Sequence, residues 1–170
     1  MKKSAQKVNT FLIILICTAI IIGAVVFITN GFQKNTDLNT PSPTPTTTKF
    51  QSSSALKFSV DVPNGLKAVD NNGYVQVTNG KAEILIIRNG SFFNNIKEYL
   101  SDLEKKNGFI LSRKADVPIN KGEAVTGYIG SEKNYFIMPE RSYAVYVFST
   151  KSPQLYQALD QIAKSFRYTP

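Results

Sequence analysis

Length, composition and charge already exclude several functions. The chain has 170 residues, a formal net charge of +8, no histidine and a single cysteine, Cys17. Without histidine, nucleophilic sites of the Ser-His and Cys-His types are excluded, and with one thiol a usual zinc site is excluded as well. A single cysteine also rules out an intrachain disulfide.

The first 29 residues predict a membrane anchor. Residues 1–10 carry lysines and no acid, and the run from Phe11 to Ile28 contains no charge, proline or amide. A helix of that run is about 27 Å long, close to the thickness of a hydrocarbon core. We therefore predict a flank over 1–10, kept in the cytoplasm by the positive-inside bias, and a transmembrane helix over 11–29. The expected location is the plasma membrane of a bacterial cell, in a single-pass protein whose C-terminal domain lies outside.

Two other interpretations of this segment stay open. A cleaved signal peptide normally has an apolar region of about 7–15 residues and a small-x-small cleavage site, which residues 29–31 match poorly. A lipoprotein signal would place Cys17 behind a small residue at the end of a short apolar run, whereas Ile16 precedes it and apolar residues follow. We favour the uncleaved anchor, in which Cys17 is a small apolar residue within the membrane.

Residues 30–54 have the composition of a linker. They contain few large apolar side chains, so they bury too little surface to offset their ordering entropy. Pro41, Pro43 and Pro45 stiffen the middle of the segment toward an extended polyproline conformation. We predict a disordered, Thr/Pro/Ser-rich tether that ends at a globular domain over 55–170. Whether the tether carries O-linked sugar stays open.

The clearest local signal in the globular domain is a hairpin. Two apolar segments, 74–78 and 81–88, flank Asn79-Gly80, a preferred pair for a two-residue type I′ turn. That turn places the apolar partners on one face of the sheet, in the pairs Val77 with Ala82 and Val75 with Ile84.

Two amphipathic helices and several strands follow. The first helix is predicted over 94–106 and stops at Asn107-Gly108. The second starts at Ser152-Pro153, and its buried stripe is Leu155, Leu159, Ile162, Ala163 and Phe166. Strands are predicted near 58–62, 109–117, 123–130, 133–138 and 142–149. Because Leu85 and Ile87 make the second face of the hairpin apolar, we expect cover on both sides of that end of the sheet. The predicted fold class is α+β, an antiparallel sheet sandwiched by helices.

This order of elements resembles the PsbP-like domain. The matching phrases are FSVDVPNGL at 58–66, YFIMPERSYAVYVF at 135–148 and IAKSFRY at 162–168, with the hairpin and the first helix between them. The resemblance covers nearly all of 55–170 and implies a PsbP-related bacterial extracytoplasmic protein. A photosynthetic role is not implied, because the anchor and linker differ from the cleaved targeting peptide of PsbP and no histidine matches a ligand.

No catalytic motif emerges from the chain. Ser54-Ala-Leu-Lys57 has the spacing of a Ser-Lys pair but lacks the companion motifs. Gly73 and Gly80-Lys81 are separated by six residues, where a phosphate loop requires four. The carboxylates of the first helix lie among lysines, as on a solvated face. We therefore predict no catalytic, cofactor-binding or metal-binding residue, and no nucleic-acid partner.

Two functional hypotheses remain. The favoured one is a membrane-tethered extracytoplasmic binding or accessory domain, held in the lipid bilayer by its N-terminal helix, with an unidentified protein or envelope polymer as partner. The alternative is a histidine-free carboxylate hydrolase of cell-wall sugar polymers. A pocket with two convergent acids about 5–10 Å apart would favour the hydrolase, and scattered acids would favour binding.

Overall fold

The computed structural model describes residues 46–170. The predicted cytoplasmic flank, the predicted transmembrane helix and residues 30–45 of the predicted linker lie outside this range. Within it, no helix combines the length and the apolar composition needed to cross a membrane.

Ten strands and two helices follow one another along the described chain. In order they are β1 (Thr47–Gln51), β2 (Phe58–Pro63), β3 (Lys67–Asp70), β4 (Tyr74–Thr78), β5 (Glu83–Gly90), α1 (Ile96–Asn107), β6 (Ser112–Asp116), β7 (Gly122–Ile129), β8 (Glu132–Pro139), β9 (Ala144–Thr150), α2 (Tyr156–Lys164) and β10 (Arg167–Tyr168). Seven strands form one sheet in the order β3-β4-β5-β9-β8-β7-β6, and β1-β2-β10 form a second, smaller sheet. All strand pairs are antiparallel.

The larger sheet is covered by a different layer on each face. On one face, α2 and β2 enclose the larger core, whose aromatic centre has ring centroids 4.9–6.4 Å apart and consists of Phe58, Tyr146, Phe148 and Phe166. On the other face, α1 covers a smaller core that includes Leu100, Phe136 and Val145. The antiparallel sheets and the two helices agree with the predicted α+β fold class.

The ends of α1 follow the local signals of the sequence, whereas the start of α2 differs from them. Asn95 caps α1, since its side-chain oxygen accepts the Glu98 N–H at 2.9 Å. Gly108 ends α1 in the left-handed region, at φ 68°, where glycine is favoured. Residues 153–155 form a 3₁₀ turn, so α2 begins at Tyr156, three residues after the predicted start, and Ser152 makes no side-chain capping bond. The predicted apolar stripe of this helix is buried throughout.

The last part of the predicted linker is folded. β1 pairs along its whole length with β2, and Phe50 packs against the larger core. The composition of 47–51 is mostly polar, so few apolar side chains stabilise β1. Its backbone hydrogen bonds to β2 hold it in place instead. The folded part of the described chain therefore includes β1, which the composition assigned to the linker.

The hairpin buries the predicted face, but its two strands pair in a different register from the predicted one. Thr78 pairs with Glu83, and the apolar pairs are Val77 with Ile84 and Val75 with Ile86. The predicted register is therefore wrong by two residues on the second strand. A shift of two keeps every side chain on its face, because side chains alternate with period two.

The side chain of Asn79 explains the longer turn. Its Oδ1 accepts the N–H groups of Lys81 and Ala82, both at 3.0 Å. Thr78 adds a bond from its hydroxyl to the Ala82 carbonyl at 2.8 Å. A type I′ turn requires positive φ at both central residues, but here only Gly80 has it, at 85°. Side-chain bonds to the backbone thus select a four-residue connection.

The second face of the hairpin is exposed to solvent, although a covering layer was predicted there. Val69, Tyr74 and Ile87 are 37–40% exposed on that face, and Leu85 is half-buried. α1 packs over β7, β8 and β9, and it touches β5 near the end of that strand, where the Asn89 amide donates to the Tyr99 hydroxyl at 3.4 Å. The expectation of cover at Ile87 is wrong, because a single helix is too narrow for a seven-stranded sheet.

Candidate functional site

The candidate site lies at one end of the larger sheet, where β5 ends and β9 begins. Gly90 pairs with Ala144, and the Ser91 N–H donates to the Tyr143 carbonyl at 3.0 Å. On the neighbouring strands Gly122 pairs with Pro139. We call this region the distal end and define it as residues 91–95, 118–122, 139–143 and 167–170.

The chain enters the domain at the opposite end of the sheet. The Thr46 carbonyl accepts the Asn64 N–H at 3.2 Å, and β3 starts at Lys67, a few residues later. Lys67 pairs with Thr78, which pairs with Glu83 at the start of β5. The eight residues of β5 then separate this proximal end from the distal end by about 23 Å.

A groove with a volume of about 520 Å³ opens on the distal end. Phe93 and Tyr143 contribute aromatic surface to its lining, and Met138 forms part of its floor. Phe92 precedes this lining and is 100% exposed, while Tyr143 is 83% exposed. We call this feature the aromatic groove.

A second groove of about 510 Å³ adjoins the first. Pro139, Glu140 and Arg141 line both, so the turn between β8 and β9 forms the ridge between them. Lys121 and Arg167 add two more cations to the second groove. We call it the basic groove.

Strained backbone positions the cations of the basic groove. Lys121 and Arg141 lie in the left-handed region, at φ 59° and 56°. Such a conformation costs a residue other than glycine about 1–3 kcal/mol and is retained when the surroundings enforce it. Here the Glu140 N–H donates to the Lys121 carbonyl at 3.2 Å and ties the two turns together.

Gly122 allows this close approach of two strands. A Cβ at residue 122 would lie 2.4 Å from the Met138 carbonyl oxygen and 2.9 Å from the Pro139 Cα. Both are backbone atoms that cannot move aside. The distal end therefore depends on glycine at this position.

Two carboxylates line the aromatic groove, and one of them has a structural partner. Glu123 Oε2 accepts the Ile96 N–H at 2.8 Å and so satisfies the first turn of α1. Glu140 is exposed at the ridge. A two-acid hydrolase needs both carboxyl groups at the substrate, and Glu123 is engaged elsewhere. Among residues 46–170, no three Asp or Glu side chains gather to hold a metal ion.

Ser142 contributes a buried hydroxyl to the aromatic groove. Its Oγ has no hydrogen-bond partner among the described residues. A serine nucleophile needs a base within hydrogen-bond reach, so this hydroxyl does not form a nucleophilic pair.

A second polar cluster, around Asp160, joins α2 to β8. Asp160 accepts hydrogen bonds from Lys133 at 2.6 Å and from the Tyr135 hydroxyl at 2.7 Å. Burial, together with the bond to Asp160, raises the pKa of Tyr135. Lys133 also lies over the Tyr156 ring, 5.6 Å from its centroid. Because the members of this cluster satisfy one another, its role is packing.

The sites considered from the sequence are not brought together. Phe11 and Ile28, the predicted ends of the transmembrane segment, lie outside the described residues. Ser54 and Lys57 lie in the turn before β2, away from any helix that a Ser-Lys pair would need. On α1, Glu104 binds Lys114, and this hydrogen bond lowers the pKa of the carboxyl group.

Sequence reasoning missed the distal end. The available signal was the pair Phe92-Phe93 in a segment without apolar periodicity. A polar loop has no need of two adjacent phenylalanines. Their proximity to Tyr143 depends on the pairing of β5 with β9, which is distant in sequence.

No family model matches the sequence, and no curated protein matches it either. The chain is similar to the solution structure of cyanobacterial PsbP (CyanoP) from Synechocystis sp. PCC 6803, at 11% identity and a TM-score of 0.45, over 75% of this chain and 95% of that one. It is also similar to a crystal structure from Bacteroides thetaiotaomicron VPI-5482, at 13% identity and a TM-score of 0.48, over 72% of this chain. The match covers 48% of the Bacteroides chain, so this protein spans about half its length. One of the two is a PsbP, the family that the sequence resembles.

Proposed function

We propose that the chain is a membrane-tethered extracytoplasmic binding domain that contacts its partner through the distal end. The observation that carries this proposal is the pair of exposed aromatic side chains, Phe92 and Tyr143, beside the aromatic groove. The anchor and the compartment rest on the apolar run from Phe11 to Ile28 and the lysines before it.

Burial of the exposed aromatic side chains against a partner would stabilise a complex. Burial of a phenylalanine side chain is worth about 1.5–3 kcal/mol, and Phe92 leaves all of that unrealised in the free domain. The paired strands β5 and β9 hold the two loops, so little ordering entropy is lost on binding. Aromatic side chains on a rigid support are frequent energetic centres of protein interfaces.

The site of attachment leaves the distal end accessible. The chain joins the domain at the proximal end, about 23 Å from the proposed contact surface. A flexible segment of the length of residues 30–45 spans about 20–25 Å r.m.s.. Anchoring of this kind raises the local concentration of the domain near envelope partners, so modest affinity suffices.

The hydrolase alternative has weaker support. Its two required carboxylates would be Glu123 and Glu140, which line the same groove. Glu123 already accepts the Ile96 N–H, and its loss from that role would leave the first turn of α1 unsatisfied. A binding function requires no change in the hydrogen bond between Glu123 and the Ile96 N–H.

Photocrosslinking in living cells tests the proposal. A photoreactive phenylalanine analogue is placed at position 92 of the full-length protein and, as a matched control, at position 110. Ile110 is also an exposed apolar residue, 80% accessible, and lies beyond the other end of α1. We expect discrete adducts from position 92 and none from position 110. The same adducts from both positions, or none from 92, would contradict the proposal.

A further inference from the structure

The basic groove carries three cationic side chains, none of which forms an ion pair with another side chain among the described residues. Its cationic side chains are Lys121, Arg141 and Arg167, and its one acidic side chain is Glu140. All four side chains are exposed. The three ion pairs within residues 46–170 lie elsewhere, namely Asp102 with Lys106, Glu104 with Lys114 and Asp160 with Lys133.

The backbone adds an independent observation. Lys121 and Arg141 both occupy the left-handed region, where glycine or asparagine would be less strained. Lysine and arginine give no conformational advantage at such positions. Lys57 and Arg113 share this conformation outside the groove, so what distinguishes Lys121 and Arg141 is that the bond from the Glu140 N–H to the Lys121 carbonyl brings their two turns together.

The shape of the distal end indicates a chain-like ligand. The basic and aromatic grooves share residues 139–141, so a linear molecule can run from one groove across the ridge into the other. A guanidinium group binds a phosphate through two parallel hydrogen bonds, and the lysine ammonium adds a point charge. Both grooves lie at the end away from the site of attachment.

On these grounds, and resting on the proposed binding function, we propose that the basic groove binds the phosphate groups of a polyanionic envelope polymer. The aromatic groove then contacts apolar or sugar portions of the same ligand. The phosphate contacts would make binding salt-dependent, because each one releases counterions from the polymer.

The test uses the full-length protein in nanodiscs of neutral lipid, with fluorescent inorganic polyphosphate as the probe. The double variant Lys121→Asn/Arg141→Asn removes two cations, and asparagine tolerates the left-handed backbone. The control variant Lys81→Asn/Lys151→Asn removes the same charge from exposed residues near the proximal end. We expect the distal variant to bind at least about tenfold more weakly with a shallower salt dependence, and the control to change less than about threefold.

Three results would overturn the inference: no binding of polyphosphate by the parent protein, equal losses in the two variants, or binding to phosphatidylglycerol vesicles without binding to polyphosphate. The last result would assign the groove to a membrane surface. Crosslinking from position 92 distinguishes the two proposals. If adducts persist while polyphosphate fails to bind, the ligand class is wrong and the binding function stands.

Discussion

Replacement of Ile84 by alanine tests which face of β5 supports the larger core, and Ile87→Ala is the matched control. Both isoleucines lie on the same strand, three residues apart. Ile84 is fully buried against the larger core, whereas Ile87 is 39% exposed on the face that α1 does not cover. The two substitutions remove the same atoms from two different environments.

The magnitude follows from those environments. Ile→Ala removes three carbon groups, worth about 2.4 kcal/mol of transfer free energy at about 0.8 kcal/mol each. A cavity in the larger core adds to this, so Ile84→Ala should lower the free energy of unfolding by about 2–5 kcal/mol. At Ile87 no enclosed cavity forms, and the loss should be about 1 kcal/mol or less.

Urea unfolding of a fragment of residues 46–170, followed by circular dichroism, measures both losses. The two midpoints should separate clearly, since the difference of about 2 kcal/mol corresponds to roughly a 30-fold change in the folding equilibrium. Equal losses would refute the assignment of the two faces and, with it, the open face beside Ile87.

Two further predictions concern the buried phenols and the distal strands. Burial raises the pKa of Tyr135 and Tyr146 in the folded state, so their protons should be kept above pH 10, where the unfolded chain loses them. The resulting stability is complete below about pH 10 and is lost as pH rises toward the folded pKa, so the urea midpoint should fall progressively above about pH 10; a flat profile there would contradict this. Gly122→Ala should lower the melting temperature more than Gly130→Ala, because a Cβ at residue 130 meets no atom within 4 Å. Equal shifts in melting temperature would mean that the strands do not approach as described.

Local elements of the fold could be predicted because their causes are local. Asn95 and Gly108 bound α1 through bonds to residues a few positions away. The alternation of Val75 and Val77 identified the buried face of the hairpin even though its register was wrong. The register depended on the side chain of Asn79, which competes with the turn favoured by the Asn-Gly pair.

Elements that depend on distant partners were missed. β1 has a polar composition and forms because β2 offers it a free edge. β10, two residues long, exists only as a partner of Phe58 and Ser59. The candidate site was missed because it too depends on residues that are distant in sequence. Lys121 and Arg141 are 20 positions apart, and their turns meet only through the pairing of β7 with β8. Their strained backbone has no signature in the sequence.

The most direct measurement of binding through the distal end is the affinity of the full-length protein for the partner captured from position 92. Phe92→Ala/Tyr143→Ala is compared with Ile110→Ala, which also removes an exposed apolar side chain. The double variant should bind about tenfold more weakly or worse, with an unchanged melting temperature, because neither aromatic side chain is buried in the domain. Equal affinity of the two variants would contradict binding through the distal end.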